Sequence, residues 1–191
     1  MNRLAVFGGS FDPPHVGHLL GVTYVLATQP VDEVLIVPAF EHPFGKAMAP
    51  YDHRLAMCQH TFADLRRVTV SEVERSLARP SRTLHMLQAL AVQRPGASFR
   101  LVVGTDILRE THKWYAWDAI TALAPPIVLG RVGHPHANAL PFVLPELASR
   151  DVRASVAAGR DVAALVASSV DEYIRSAGLY RETPDATTAA S

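Results

Sequence analysis

Short runs rich in β-branched and aliphatic residues alternate along this chain with longer stretches whose apolar positions recur every three or four residues. The runs are "RLAVF" (3–7), "DEVLIVP" (32–38), "RVTVSEVE" (67–74), "FRLVVG" (99–104) and "PIVLGR" (126–131). Their length and apolar content predict strands buried within a sheet. Between them, Val16 to Thr28, Tyr51 to Asp64, Ser81 to Gln93 and Trp114 to Leu123 have the length and period of crossover helices. The alternation predicts an α/β fold: a doubly wound, Rossmann-like parallel sheet with helices on both faces.

The pattern changes after "GRVGHPHANALPFVLPELAS" (130–149), a loop rich in Pro, Gly and His. Two further helices are predicted in 149–159 and 160–180, with Ser149 and Asp161 as N-caps and Gly159 and Gly178 as ends. Residues 1–180 are thus expected to form one domain, with 146–180 as its C-terminal helical segment. The stretch "RETPDATTAAS" (181–191) has no apolar period and predicts a disordered tail.

Candidate chemistry concentrates directly after the first strand, in "GGSFDPPHVGHLL" (8–20). Gly8 and Gly9 lack a Cβ, so a turn built on them lets main-chain N–H groups approach a phosphate at the carboxyl edge of the sheet, with a helix N-terminus beyond. Pro13 and Pro14 suit the approach to that helix. His15 and His18, three apart, would point from one helix face toward the turn as neutral-to-cationic donors. Taken alone, each feature also fits an ordinary strand-to-helix turn with packed histidines, and His15, His18, His134 and His136 could be read as metal ligands.

Composition narrows the partners. Eighteen basic and eighteen acidic side chains cancel, so no net field favours a nucleic acid, and any anion site must be local. No apolar run reaches membrane-spanning length and no leader-like segment opens the chain, which points to the cytoplasm. The lone cysteine, Cys58, sits at a helical position that reads as core rather than as a nucleophile.

"GGSFDPPHVGH" resembles the "GxFxPxHxGH" signature of the HxGH nucleotidylyltransferases, and most of residues 1–180 are similar to the nicotinate mononucleotide adenylyltransferase family. The further matches are "VPAFEHPFGK" ending in Lys46, "HRLAM" (53–57), "SRT" (81–83), Gly104 and Asp106 followed by Trp114, "RVG" (131–133), "LASRDVR" (147–153) and "YIRSAGLY" (173–180). The resemblance implies transfer of the adenylyl group of ATP to nicotinate mononucleotide, with pyrophosphate released. It implies His15 and His18 as catalytic residues. Gly8, Gly9, Ser10, Phe11, Gly104, Asp106, Ser149 and Arg153 would bind ATP, and Lys46, Thr83, Trp114 and Arg131 the acceptor. Mg²⁺ would arrive with ATP, without a protein metal site. The implied partners are these two small molecules, and a homo-oligomer stays open.

The chain departs from the family pattern at Arg82, Ala148 and Arg150 and in "PFGK". Nicotinamide mononucleotide or another phosphorylated acceptor, or a catalytically weak nucleotide-binding module, are the alternative readings.

Overall fold

The computed structural model describes residues 2–41, 45 and 47–181; Lys46 and the expected tail beyond Arg181 lie outside the described residues. The strands are β1 (Arg3–Gly9), β2 (Glu33–Pro38), β3 (Val68–Val70), β4 (Ser98–Gly104), β5 (Pro126–Arg131) and β6 (Val143–Leu144). They form one parallel sheet in the order β3-β2-β1-β4-β5-β6. The order reverses between β1 and β4, where a doubly wound sheet opens its ligand crevice. Pairing of β1 with β4 stops at Val6 and Leu101, although each strand runs three residues further. The carboxyl ends therefore splay apart.

The helices are α1 (Val16–Thr28), α2 (Tyr51–Phe62), α3 (Thr83–Gln93), α4 (Thr105–Leu108), α5 (Trp117–Leu123), α6 (Ser149–Ala157) and α7 (Ser168–Ser176). Alternation along the strands builds two cores. Leu4, Val6, Leu35, Leu101 and Val103 pack with Met86, Leu87 and Leu90 of α3 and Ile120 of α5. Ala5, Val34, Ile36, Val102 and Leu129 pack with Val22 and Val25 of α1 and Cys58 and Phe62 of α2. A third cluster joins Met57 of α2 to Leu147, Val152, Val162, Val166, Val170 and Ile174. That cluster docks the C-terminal segment on the sheet-bearing core.

Several boundaries differ from those expected. The third strand ends at Val70 rather than Glu74, because Ser71 Oγ accepts the Val73 N–H and a 3₁₀ turn follows over Val73–Ser76. Trp114 precedes α5, which starts after Ala116 in the left-handed region at φ 53°. β6 lies inside the stretch expected to be loop. Ser149 is the first residue of α6 and not its cap: Asp151 reaches back to accept the Ala148 N–H at 2.9 Å. The last helix begins at Ser168 and not near Asp161. Ala167 before it is extended, at φ −62° and ψ 146°, and the carbonyl of Leu165 accepts the Val16 N–H of α1 at 2.9 Å. Gly159 and Gly178 do follow the helix ends, at φ 67° and 64°.

Candidate active site

The loop from β1 into α1 sits over the splayed strand ends. Gly8 and Gly9 are its last strand residues, paired with Val37 and Pro38, rather than the turn itself. The reversal falls on Phe11, at φ 47°, whose buried ring lies 5.6 Å from Phe7 and 4.9 Å from His18. A Cβ at position 9 would stand 3.3 Å from the Phe11 ring, a tight contact that glycine avoids. The N–H groups of Ser10 and Phe11 have no partner among the described residues.

His15 and His18 stand together as expected, their rings 3.8 Å apart between centroids. A Cβ on Gly17 would approach the His15 ring to 3.0 Å, so the glycine between the histidines makes room for His15. The His15 backbone N–H donates to His18 Nδ1 at 3.1 Å. That bond assigns the proton of a neutral His18 to Nε2, leaving this edge as a donor. Burial, then the neighbouring Arg131 charge, lowers His15 to about 4. Burial also pulls His18 well below the usual imidazole value, helped by His15 and Arg131. Both rings are therefore neutral at pH 7. His15 Nδ1 is buried with no partner among the described residues, an arrangement that costs stability unless a ligand completes it.

Across the crevice, Asp106 at the start of α4 lies 4.0 Å from Arg131 at the end of β5. A Cβ on Gly104 would collide with the Asp106 carboxylate at 2.3 Å. Thr83 opens α3, and Arg82 before it lies over the Tyr115 ring at 5.4 Å, which brings Thr83 and Trp114 to one neighbourhood. Trp114 meets Trp117 edge-on at 5.4 Å and packs against the core. Ser149 and Arg153 reach the motif from α6 with donors already engaged: the Ser149 hydroxyl donates to Pro13 O at 2.8 Å, and Arg153 to Asp12 O. Lys46 lies outside the described residues.

Three supporting residues were not singled out from the sequence. Arg54 is 1% exposed and donates to the carbonyls of Ser10, Ala39, Phe40 and Ala49, tying the motif loop to the segment after β2. Its signal is a charge on the buried stripe Tyr51, Arg54, Leu55, Cys58, Phe62. Asp12 and Tyr180 are the other two, joined at 2.8 Å. Burial pushes the Cys58 thiol up, so it stays protonated in the core. Among the described residues no three His, Cys, Asp or Glu side chains gather to hold a metal ion, and no helix is long and apolar enough to cross a membrane.

A profile of the family described as cytidylyltransferase-like matches residues 6–156. A protein of Anaeromyxobacter sp. (strain K), named "Probable nicotinate-nucleotide adenylyltransferase", is 47% identical over 182 residues, covering 94% of this chain and 97% of its own length. One of the same name from Myxococcus xanthus is 40% identical over 179 residues, covering 93% and 94%. The solved nicotinic acid mononucleotide adenylyltransferase of Plasmodium falciparum, complexed with NaAD, matches with a TM-score of 0.80 over 94% of this chain and 98% of that one. At 16% identity it is a likeness of fold.

Proposed function

The chain belongs to the cytidylyltransferase-like family, among the nicotinate-nucleotide adenylyltransferases, and from that premise we propose that it joins ATP and nicotinate mononucleotide into nicotinic acid adenine dinucleotide for NAD synthesis in the cytoplasm. Residues 1–180 act as one domain. The observation that carries the reading is the pair of neutral imidazoles, 3.8 Å apart, at the reversal of strand order.

An oxygen of the acceptor's phosphate attacks the α-phosphorus of ATP in line, and the bond to the β-phosphate oxygen breaks as pyrophosphate leaves. No protein nucleophile takes part. Catalysis is then placement of two anions and stabilisation of charge moving to the leaving group. His18 donates from Nε2 to the α-phosphate and His15 serves the β- and γ-phosphates. As a triphosphate approaches, its charge raises both imidazole pKa values, so they gain cationic character when it is useful. Gly8, Gly9, Ser10 and Phe11 line the phosphates, with the free N–H groups of the last two as donors. Ser149 adds its backbone N–H in the first turn of α6, and Arg153 the guanidinium N–H groups not spent on the loop.

Gly104 admits the Asp106 carboxylate, which accepts from ribose hydroxyls. Thr83 and Trp114 hold the pyridine end of the acceptor, Arg131 its phosphate, and Lys46 is a further acceptor-binding residue. Nucleotidyltransferases of this family generally use a divalent metal ion; Mg²⁺ arriving with ATP would neutralise part of the phosphate charge.

The test is Mg²⁺-dependent pyrophosphate release from ATP with nicotinate mononucleotide, nicotinamide mononucleotide and phosphopantetheine as acceptors. Fast release with the nicotinate substrate is expected. Release with another acceptor alone would keep the chemistry and replace the substrate, and ATP binding with no release would leave a nucleotide-binding module.

A further inference from the structure

The C-terminal turn is fastened to the motif loop at a buried carboxylate. Asp12 Oδ1 accepts the Tyr180 hydroxyl at 2.8 Å and the Ala49 N–H at 3.2 Å, while Oδ2 lies 3.4 Å from Arg153. Arg153 and Ser149 donate to the carbonyls of Asp12 and Pro13, and the Val16 N–H, an orphan of the first turn of α1, donates to Leu165 O. Three bonds with residues 149–165 thus hold the backbone on either side of His15, and a fourth, from Tyr180, holds the Asp12 side chain. Tyr180 adopts φ 61°, and three residues of non-glycine backbone in that region occur among those described, one of the others being Phe11 of the same site. Burial and the adjacent Asp12 push the Tyr180 hydroxyl up, so it remains a donor throughout the working pH range.

The geometry points to Tyr180 and Asp12 as positioning residues for adenylyl transfer: the hydroxyl fixes the carboxylate, the carboxylate fixes Arg153 and the loop, and the loop keeps the His15 ring buried against His18. The inference rests on the reading of the site as an adenylyl-transfer centre. It makes Tyr180 a working part of that centre, reached across 168 positions of sequence. The Tyr180 hydroxyl bonds a carboxyl group of the motif loop itself.

Tyr180→Phe keeps the ring and removes the hydroxyl, and two readouts follow. Steady-state kinetics should show kcat reduced about tenfold with both KM values within about twofold, the signature of an interaction used in the transition state. The melting temperature is measured alongside. The imidazole resonances, titrated without nucleotide, report the loop directly. His15 titrates at about 4 beside His18, Arg131 and Asp151, and loosening the loop wets its ring, so its midpoint should rise by about one pH unit in the variant.

Superimposable titrations, kcat within twofold of wild type, or a loss accounted for by the unfolded fraction would each overturn the proposal. Should the wild-type protein transfer nothing to any acceptor, the assigned reaction fails, while the titration still decides whether Tyr180 positions His15.

Discussion

The β1–α1 loop and the C-terminal segment meet along one seam and use their polar groups in opposite ways. On the loop, His15 Nδ1 is buried without a partner, and the N–H groups of Ser10 and Phe11 have none among the described residues. On the segment, the Ser149 and Tyr180 hydroxyls, the Arg153 guanidinium and the Leu165 carbonyl all bond to that same loop. An unpaired buried polar group costs about 1–3 kcal/mol, and at His15 a bound phosphate would remove that cost. The satisfied side is scaffold for the unsatisfied side. A residue's value to catalysis should then follow which side its polar atoms serve.

The largest effect should come from the unsatisfied side. His18→Ala removes the Nε2 donor and also leaves the His15 N–H without its acceptor at 3.1 Å. Loss of one preorganised donor to a transition state costs on the order of 10²–10³ in rate, and kcat should fall by that much with the melting temperature lowered only a few degrees. An activity within tenfold of wild type would break the comparison, because an imidazole in this position would then be packing.

Acid tests the same side through stability. An unfolded histidine takes up its proton near pH 6.5, whereas folded His15 does so only at about 4 and His18 lower than usual as well. Between those values the unfolded chain binds more protons, so stability falls as pH drops through the window. Above pH 6.5 it is level on this account. For His15 the loss approaches about 3 kcal/mol by pH 4. Denaturant midpoints from pH 7 to 4.5 should show that slope in wild type and a shallower one in His15→Gln; equal slopes would mean that the ring is not held neutral by the site.

How legible each side was follows from the range of its interactions. The span of α1 and the five main strands could be read from local period, and the histidine pair from composition at a strand end. The turn was misplaced onto the glycines because sequence shows which residues tolerate positive φ, not which one packing forces into it. Phe11 takes it to bury its ring. Ser149 looked like a cap because serine commonly is one; its hydroxyl went instead to Pro13, 136 residues away. Arg54 was readable as a charge on an apolar stripe, but its four carbonyl partners come from two loops that only the fold brings together. Nothing local announces that Tyr180 ends on Asp12.

The smallest effect should come from Ser149→Ala, on the satisfied side. The hydroxyl makes one hydrogen bond, to Pro13 O, and a typical bond of that kind is worth about 1 kcal/mol. Its backbone N–H, the group offered to the triphosphate, survives the substitution. The variant should therefore lose about 1 kcal/mol of stability and no more than a few-fold in kcat, with the KM for ATP nearly unchanged. Steady-state kinetics and denaturant unfolding on one preparation separate the two quantities. A tenfold rise in the KM for ATP would move the hydroxyl from the loop to the nucleotide and place Ser149 on the unsatisfied side. The seam between scaffold and chemistry would then run through the first turn of α6 instead of along its edge.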